Sequence, residues 1–343
     1  MNQPDGPSNA GGNIDVARAH RLLAAMERIR AFEEQAIQAA ERKLVLGAIH
    51  PSIGQEAIAA GIVGALRRDD VLLSTHRGHG HTLAKGTDAL AMMRELLGRQ
   101  GGTCGGKGGS MHIADFGVGM LGANGVVSAN IVIAAGAAHA IRLHRETGQD
   151  DRIVCCVFGD GAVNRGPFLE GLNWASVFAL PIVFVCEDNR YSATTLTGDM
   201  TGGSGPAARA RALGLHVTEV DGNDALACAE IGEAEAARVR GGGAPGFVLA
   251  RTYRQTGHTS SDLAAYRPAG EADGMRDTDD PIARLRDALT LVGVGADEID
   301  AARERAQGEM VDILAQAEAS PWPADDTAFA DVQTIGSPVE EAY

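Results

Sequence analysis

Two short apolar runs constrain the fold of this chain most strongly: IVCCVF at 153–158 and IVFVC at 182–186. Continuous apolar runs without polar alternation are typical of parallel strands that helices cover on both faces. The segment between them predicts a crossover helix, and hence a right-handed βαβ unit. The expected packing face of this helix consists of Phe168, Leu169, Leu172, Trp174, Ala175 and Phe178. The pattern predicts an α/β fold of three layers, with a mostly parallel sheet between two layers of helices.

Each run ends in residues suited to ligand binding. The first ends in GDG at 159–161 and the second in EDN at 187–189. Because the carboxyl ends of parallel strands meet at one edge of a sheet, we expect Asp160 and Asn189 to lie close together. Mg²⁺ takes few protein oxygens and completes its shell with phosphate and water, while flanking glycines let backbone N–H groups approach phosphates. The unit therefore predicts a divalent cation that holds a diphosphate.

Composition limits the class of protein. The chain has 343 residues, 45% of them apolar, and a net charge of −15 without a basic block, so neither nucleic acid nor an anionic membrane is an expected partner. No apolar run is long enough for a membrane span. The five cysteines form no CxxC pair and are interpreted as small core residues of a cytoplasmic protein. We expect a disordered lead at 1–13, one domain at 14–319 and a tail at 320–343.

The remaining pattern gives a coarse order of elements. Further strands are predicted at 71–75, 216–220 and 245–253, and loops at 101–125, 192–206 and 255–280. Helices are predicted at 14–46, 54–66, 78–85, 88–98, 129–144, 224–240, 281–293 and 296–318. The helices 54–66 and 129–144 are rich in Ala and Gly, which favours close packing and makes them candidates for subunit contacts.

Three motifs resemble nucleotide sites without completing one. GGTCGGKG at 101–108 lacks the hydroxyl residue of a P-loop, because Gly108 follows Lys107. GVGMLG at 117–122 matches GxGxxG, but no predicted strand precedes it. The GDG turn has Asn164 at the third glycine position, and its Asp160 would repel a pyrophosphate unless a cation lies between them. A dinucleotide-binding Rossmann site is therefore the second interpretation of this turn.

A histidine cluster offers a different kind of site. His76, His79 and His81 form HxxHxH, which suggests zinc. No carboxylate or cysteine at suitable local spacing completes a zinc set, and Arg77 would oppose a cation. Zinc is therefore not the ligand we expect at this motif, and we interpret His79 as a structural residue that binds a loop.

GDG followed about thirty residues later by Asn resembles the fingerprint of thiamine diphosphate enzymes. Residues 15–320 resemble the α subunit of the E1 component of 2-oxo acid and acetoin dehydrogenase complexes. The segments are IHPSIGQEAIAAG (49–61), STHRGHGHTLAKG (74–86), GGKGGSMHIAD (105–115), GMLGANGVV (119–127) and RTYRQTGHTSSD (251–262). STHRGHGH and GMLGANG are similar to acetoin-type subunits, and GHTSSD with the following Tyr266 and Arg267 is similar to pyruvate-type ones. The resemblance implies a thiamine diphosphate-binding fold with Mg²⁺.

The resemblance also implies the site residues. His50 and His258 would be catalytic, Arg77 and Arg254 would bind the diphosphate, and His76 stands where pyruvate-type subunits have Tyr. The implied cofactor-binding residues are His76, Arg77, Gly125, Val127, Gly159, Asp160, Gly161, Ala162, Asn189, Arg254 and His258, and the implied metal ligands are Asp160, Asn189 and the carbonyl of Tyr191. Two departures from the family pattern adjoin the site: Ser128 replaces a usual glycine, and Arg165 stands where Gln or Glu is common.

The implied function is that of an α subunit that cleaves acetoin or decarboxylates a 2-oxo acid such as pyruvate. It would pass the two-carbon unit to a lipoyl group on an E2 acyltransferase. The glutamate that activates the cofactor would come from a separate β subunit, in an α2β2 heterotetramer. The alternatives are a stand-alone thiamine diphosphate lyase or carboligase, for which Glu56 would be the activating residue, and a non-catalytic scaffold subunit.

Overall fold

The computed structural model describes residues 14–330, except 46, 147 and 149. The expected lead at 1–13 and the segment 331–343 of the expected tail lie outside the described residues. No helix in the described part of the chain is long and apolar enough to cross a membrane.

A six-stranded sheet forms the centre, and every neighbouring pair of its strands is parallel. Its strands are β1 (Val71–Thr75), β2 (Met120–Asn124), β3 (Val154–Gly159), β4 (Ile182–Asp188), β7 (His216–Asp221) and β8 (Gly246–Arg251), in the order β2-β1-β3-β4-β8-β7. The hairpin β5 (Tyr191–Ser192) with β6 (Thr195–Leu196) lies outside the sheet. The α/β fold with a mostly parallel sheet is confirmed.

Helices cover both faces of the sheet. They are α1 (Val16–Glu41), α2 (Glu56–Gly61), α3 (His79–Lys85), α4 (Ala89–Leu96), α5 (Ala129–Glu146), α6 (Gly166–Val177), α7 (Thr197–Met200), α8 (Gly205–Ala212), α9 (Ala225–Arg240), α10 (Glu271–Asp279), α11 (Pro281–Leu291) and α12 (Ala296–Ala319). Along β3, Cys155 and Val157 pack with α1, α2 and α9, whereas Cys156 and Phe158 pack with α5, α6 and α8. Both faces of β3 are therefore apolar, which explains why its sequence does not alternate.

The crossover helix α6 packs with only part of its predicted face. Phe168, Leu172 and Ala175 are buried, as predicted. Leu169, Trp174 and Phe178 were placed on the packing face wrongly, because their side chains are 51%, 48% and 38% exposed. These three residues give α6 a second apolar face that is about half exposed, with His139 of α5 in contact with Trp174 and Phe178.

Several predicted boundaries are wrong. The loop 101–125 contains the edge strand β2, whose sequence MLGAN lacks β-branched residues. The loop 255–280 contains α10, which buries none of its residues and therefore shows no hydrophobic period. The loop 192–206 contains α7, and α8 begins at its end. The helix expected at 54–66 is the short α2 followed by a 3₁₀ turn at Val63–Ala65, and α1 ends at Glu41 rather than 46.

The glycine-rich segment that resembles a P-loop does surround an anion, but the anion is a side chain of the same protein. Glu95, at the end of α4, is fully buried. Its carboxylate accepts backbone hydrogen bonds from Cys104 and Gly106 at 2.7 and 2.8 Å, and from Gly108 and Gly109 at 2.7 and 3.1 Å. The donors that a P-loop would offer to phosphate are thus engaged within the chain.

We expect Glu95→Gln to destabilise the protein. The neutral amide would turn an NH₂ group towards backbone donors that have no other acceptor, at a cost of about 3 kcal/mol in the free energy of unfolding. Urea denaturation followed by circular dichroism measures this change. The control Glu309→Gln removes a carboxylate from a partly exposed ion pair with Arg28 and should cost less than about 1 kcal/mol. Similar losses in the two variants would contradict the assigned role of Glu95.

Candidate active site

A cavity of about 210 Å³ lies at the carboxyl edge of the sheet. All thirteen residues predicted for the site line it: His50, His76, Arg77, Gly125, Val127, Gly159, Asp160, Gly161, Ala162, Asn189, Tyr191, Arg254 and His258. The parallel register explains this convergence. Gly159 at the end of β3 pairs with Glu187 in β4, so that Asp160 and Asn189 emerge at the same edge.

Asp160 is a buried carboxylate without a full set of partners. Asp160 is the residue directly after β3. It is only 2% exposed, and its Oδ2 atom has no hydrogen-bond partner among the described residues. Burial raises the pKa of Asp160 to about 7, and the nearby Asp188 adds to this rise. A buried carboxylate oxygen that lacks a partner is suited to a cation.

Asn189 is held in one orientation by its neighbours. Its Nδ2 donates to Gln55 Oε1 at 2.9 Å, and its Oδ1 accepts from the backbone N–H of Tyr191 at 3.2 Å. The intervening Arg190 has a φ of 72°, which makes the turn tight. Gln55 was not predicted as a site residue, since it is 134 positions from Asn189 and no local pattern links the two.

Two buried arginines face the same cavity without an ion pair to any described carboxylate. Arg77 donates to the carbonyl oxygens of Pro51 and His258, and Arg254 donates to the carbonyl of Ala193 at 2.8 Å. Burial and the neighbouring Arg254 lower the pKa of Arg77 to about 9. Burial also lowers the pKa of Arg254.

These charges fit a diphosphate with a metal ion. Two buried cations need an anion, and the carboxylate of Asp160 needs a cation. A diphosphate bridged to a divalent cation would satisfy both requirements. The donor types agree as well, because Asp160, Asn189 and a backbone carbonyl are all oxygen ligands.

Three imidazoles lie together on another part of the cavity wall. The ring centroids of His50 and His76 are 4.7 Å apart. The ring centroid of His258 lies 4.9 Å from that of His50 and 5.6 Å from that of His76. Burial, with Arg77 next, lowers the pKa of His50 to about 4, of His76 to about 2 and of His258 to about 4. All three are therefore neutral at pH 7, when an imidazole can accept or donate a hydrogen bond.

The HxxHxH motif does not form one site. His79 bonds to Glu33 at 2.8 Å and to Ser110 of the glycine-rich segment at 2.9 Å. His81 bonds to Ser74 at 2.9 Å and to Glu187 at 3.1 Å. The interpretation of His79 as a structural residue that binds a loop agrees with these contacts. Glu187 also lines the cavity, a position for which we predicted no role.

The part of the wall that follows β2 is exposed. Val126 and Val127 are 66% and 45% exposed while they line the cavity. Ser128 has a φ of 78°, a left-handed conformation that explains why glycine is usual at this position. Arg165 is exposed and does not line the cavity.

A cage of aromatic rings ties the His258 loop to the turn that carries Asn189. The guanidinium of Arg267 lies 5.0, 5.1 and 5.8 Å from the ring centroids of Tyr191, Tyr253 and Tyr266. The hydroxyls of Tyr191 and Tyr253 donate to Glu271 at 3.1 and 2.8 Å. Cation–π contacts of this kind hold the loop against the turn that carries Asn189.

Residues 24–325 match the model of one protein family, described as the dehydrogenase E1 component. The chain belongs to the dehydrogenase E1 component family. This family membership confirms the resemblance and makes the chain a thiamine diphosphate-dependent oxidoreductase of the dehydrogenase E1 type.

Curated relatives cover nearly the whole chain. The α subunits of acetoin:2,6-dichlorophenolindophenol oxidoreductase from Cupriavidus necator and Bacillus subtilis are 39% and 38% identical to it. These matches cover 90% and 94% of this chain, and 91% and 95% of the relatives. The pyruvate dehydrogenase E1 α subunit of Rhizobium meliloti is 33% identical, over 94% of this chain and 93% of that protein.

The raised pKa of Asp160 predicts a pH-dependent stability of the metal-free protein. Between the unfolded value of 3.8 and about 7, the native state holds a proton that the unfolded state releases, so stability falls as pH rises. Asp160→Asn cannot ionise and avoids this loss. We expect its advantage over wild type to grow by roughly 2–3 kcal/mol between about pH 5 and about pH 8.

Urea denaturation at the two pH values measures this difference. The control is Asp297→Asn, at an exposed position in the first turn of α12, which should track wild type at both. A constant difference between Asp160→Asn and wild type would show that Asp160 is not the titrating group.

Proposed function

We propose that this chain is the α subunit of a heterotetrameric E1 enzyme that uses thiamine diphosphate and Mg²⁺ to cleave acetoin or decarboxylate a 2-oxo acid such as pyruvate. The observation that carries the proposal is the convergence of an incompletely paired Asp160 and two arginines without ion pairs on one cavity. The relatives support acetoin first, since the acetoin oxidoreductase subunits share 38–39% identity and the Rhizobium pyruvate subunit shares 33%.

Each part of the cavity has a proposed task. Arg77 and Arg254 bind the diphosphate, while Asp160, Asn189 and the Tyr191 carbonyl bind Mg²⁺. Bound thiamine diphosphate supplies the carbon nucleophile and the electron-accepting ring.

The neutral imidazoles of His50 and His258 are placed to move protons at the substrate. A neutral imidazole accepts the proton of a carbinol hydroxyl, which acetoin has and pyruvate lacks. Gly125 and Val127 offer backbone groups to the aminopyrimidine ring.

We infer that a second subunit supplies the activating glutamate, because Glu187, the one glutamate among the described residues that lines the cavity, is bonded to His81. Glu56, the candidate of the stand-alone interpretation, is fully buried, does not line the cavity and forms an ion pair with Arg30. Its other oxygen accepts from the backbone N–H of Gly54 at 3.0 Å. These bonds give Glu56 a structural role, which favours a β subunit as the source of the activating residue. All predicted cofactor-binding residues line the cavity, which argues against a scaffold subunit that does not bind the cofactor.

A partly exposed apolar face on α5 and α6 is the proposed contact surface for the β subunit. Its large exposed side chains are Val132, Ile133 and Leu143 from α5, and Leu169, Trp174, Val177 and Phe178 on and next to α6. The exposed Val126 and Val127 of the cavity wall lie just before α5 in the sequence, so we expect a partner bound on this face to reach the cavity. The other helix predicted for subunit packing does not offer such a face, since all of α2 is buried within the chain.

Turnover by the co-expressed subunits tests the function. We expect the α–β complex to oxidise acetoin with 2,6-dichlorophenolindophenol as acceptor, and only with thiamine diphosphate and Mg²⁺; each chain alone should be inactive. Pyruvate and branched-chain 2-oxo acids are assayed in parallel. In calorimetry, Asp160→Ala should lower cofactor affinity at least about tenfold, whereas Arg165→Ala, outside the cavity, should not. If the complex turns over none of these substrates, the proposed function is wrong.

Trp174→Glu tests the proposed contact surface. A charge in the middle of an apolar interface should reduce co-purification of the β subunit with this chain by at least about tenfold. The matched control is Leu291→Glu, which places the same charge at the end of α11, where the side chain is 84% exposed. Equal recovery of the β subunit with both variants would place the interface elsewhere.

A further inference from the structure

Three histidines that are far apart in sequence come together at the cavity wall. His50 precedes α2, His76 follows β1 and His258 follows β8. One ring nitrogen from each lies within 4.8 Å of the others. His79 and His81, which share the sequence motif with His76, belong to separate hydrogen-bonded networks instead.

We propose that His50, His76 and His258 bind a divalent transition metal ion such as Zn²⁺, at a site separate from the proposed Mg²⁺ ligands. Neutral imidazole is a preferred ligand of zinc, cobalt and nickel ions, whereas Mg²⁺ prefers oxygen. Three protein nitrogens with a fourth position open to the cavity match the ligand number of many open zinc sites. The site belongs to this chain alone and needs neither a partner subunit nor the cofactor.

The geometry requires only a local adjustment. Zn–N bonds of about 2.0–2.1 Å place the nitrogens of a tetrahedral site about 3.3 Å apart. The three nitrogens, which lie within 4.8 Å of one another, would therefore need to approach by at most about 1.5 Å. The rings meet edge to face, at interplanar angles of 66–74°, so small side-chain rotations can direct their nitrogens to one point.

Proton competition does not oppose the metal at neutral pH, because burial keeps the three imidazoles in the neutral form that binds metals. Positive charge near the three histidines opposes the binding of a metal ion. Arg77 Nη2 lies 3.4 Å from His258 Nδ1, and Arg254 lines the same cavity. Glu187, and Asp160 when it is ionised, also line the cavity and partly offset these charges.

A metal ion at this position would occupy the wall assigned to the reacting end of the substrate. It would hold two proposed catalytic imidazoles, His50 and His258, so that they could not take up a proton. We therefore infer that transition metal ions inhibit the enzyme by binding these histidines. This consequence depends on the proposed function, whereas metal binding itself does not.

Cobalt absorption tests the site without any turnover. Co²⁺ is added to the full-length chain, freed of metal and thiamine diphosphate. We expect the intense visible bands of four-coordinate Co²⁺, lost on addition of Zn²⁺. His76→Phe should remove the bands and weaken Zn²⁺ binding in calorimetry by at least about tenfold, and His50→Gln should do the same.

Two controls separate this site from others. Asp160→Asn alters the proposed Mg²⁺ site and should keep the bands, as should His20→Gln on α1, where His20 pairs with Glu298. Circular dichroism verifies that each variant is folded. The proposal is overturned if wild type gives no intense bands, or if folded His76→Phe and His50→Gln bind Zn²⁺ as wild type does.

Discussion

The parallel register between β3 and β4 is the constraint on which the rest of the site depends. Six residue pairs, from Val154 with Ile182 to Gly159 with Glu187, bring the two strands to the same edge of the sheet. A shift of one residue would turn Cys155 and Val157 towards the opposite core and would separate Asp160 from Asn189. The apolar contacts on both faces of the sheet therefore hold the polar residues of the cavity in place.

The site concentrates charges that a folded chain does not readily bury. Arg77, Arg254 and Asp160 each lose hydration without gaining an opposite charge at contact distance. Paired carboxylates elsewhere keep the surrounding frame rigid: Glu33 binds His79, and Glu56 binds Arg30. Glu33 and Glu56 beside the cavity are thus paired, whereas the charged groups inside it are incompletely satisfied, as expected where a charged ligand completes the site.

The sequence predicts the central part of this structure and misses its edges. The strands β3 and β4 are predictable because both faces are apolar, and Asp160 and Asn189 follow from where those strands end. The edge strand β2 is not, because its glycine and asparagine carry no strand signal. Contacts such as Gln55 with Asn189 depend on tertiary neighbours far apart in sequence. His50 and His258 came from family resemblance, since each is otherwise a single polar residue beside an element. The exposed half of α6 was missed because periodicity does not reveal which apolar face stays uncovered.

The tyrosine cage around Arg267 bears on how tightly a ligand can bind. The loop that carries His258 is already fastened to the turn of Asn189 through Tyr191 and Tyr253, without any ligand. The conformational entropy of that loop is therefore lost when the chain folds, and little remains to be lost when a ligand arrives. Preorganisation of this kind leaves more of each contact's energy available as affinity. It makes Tyr253 and Tyr266, which do not line the cavity, contributors to binding.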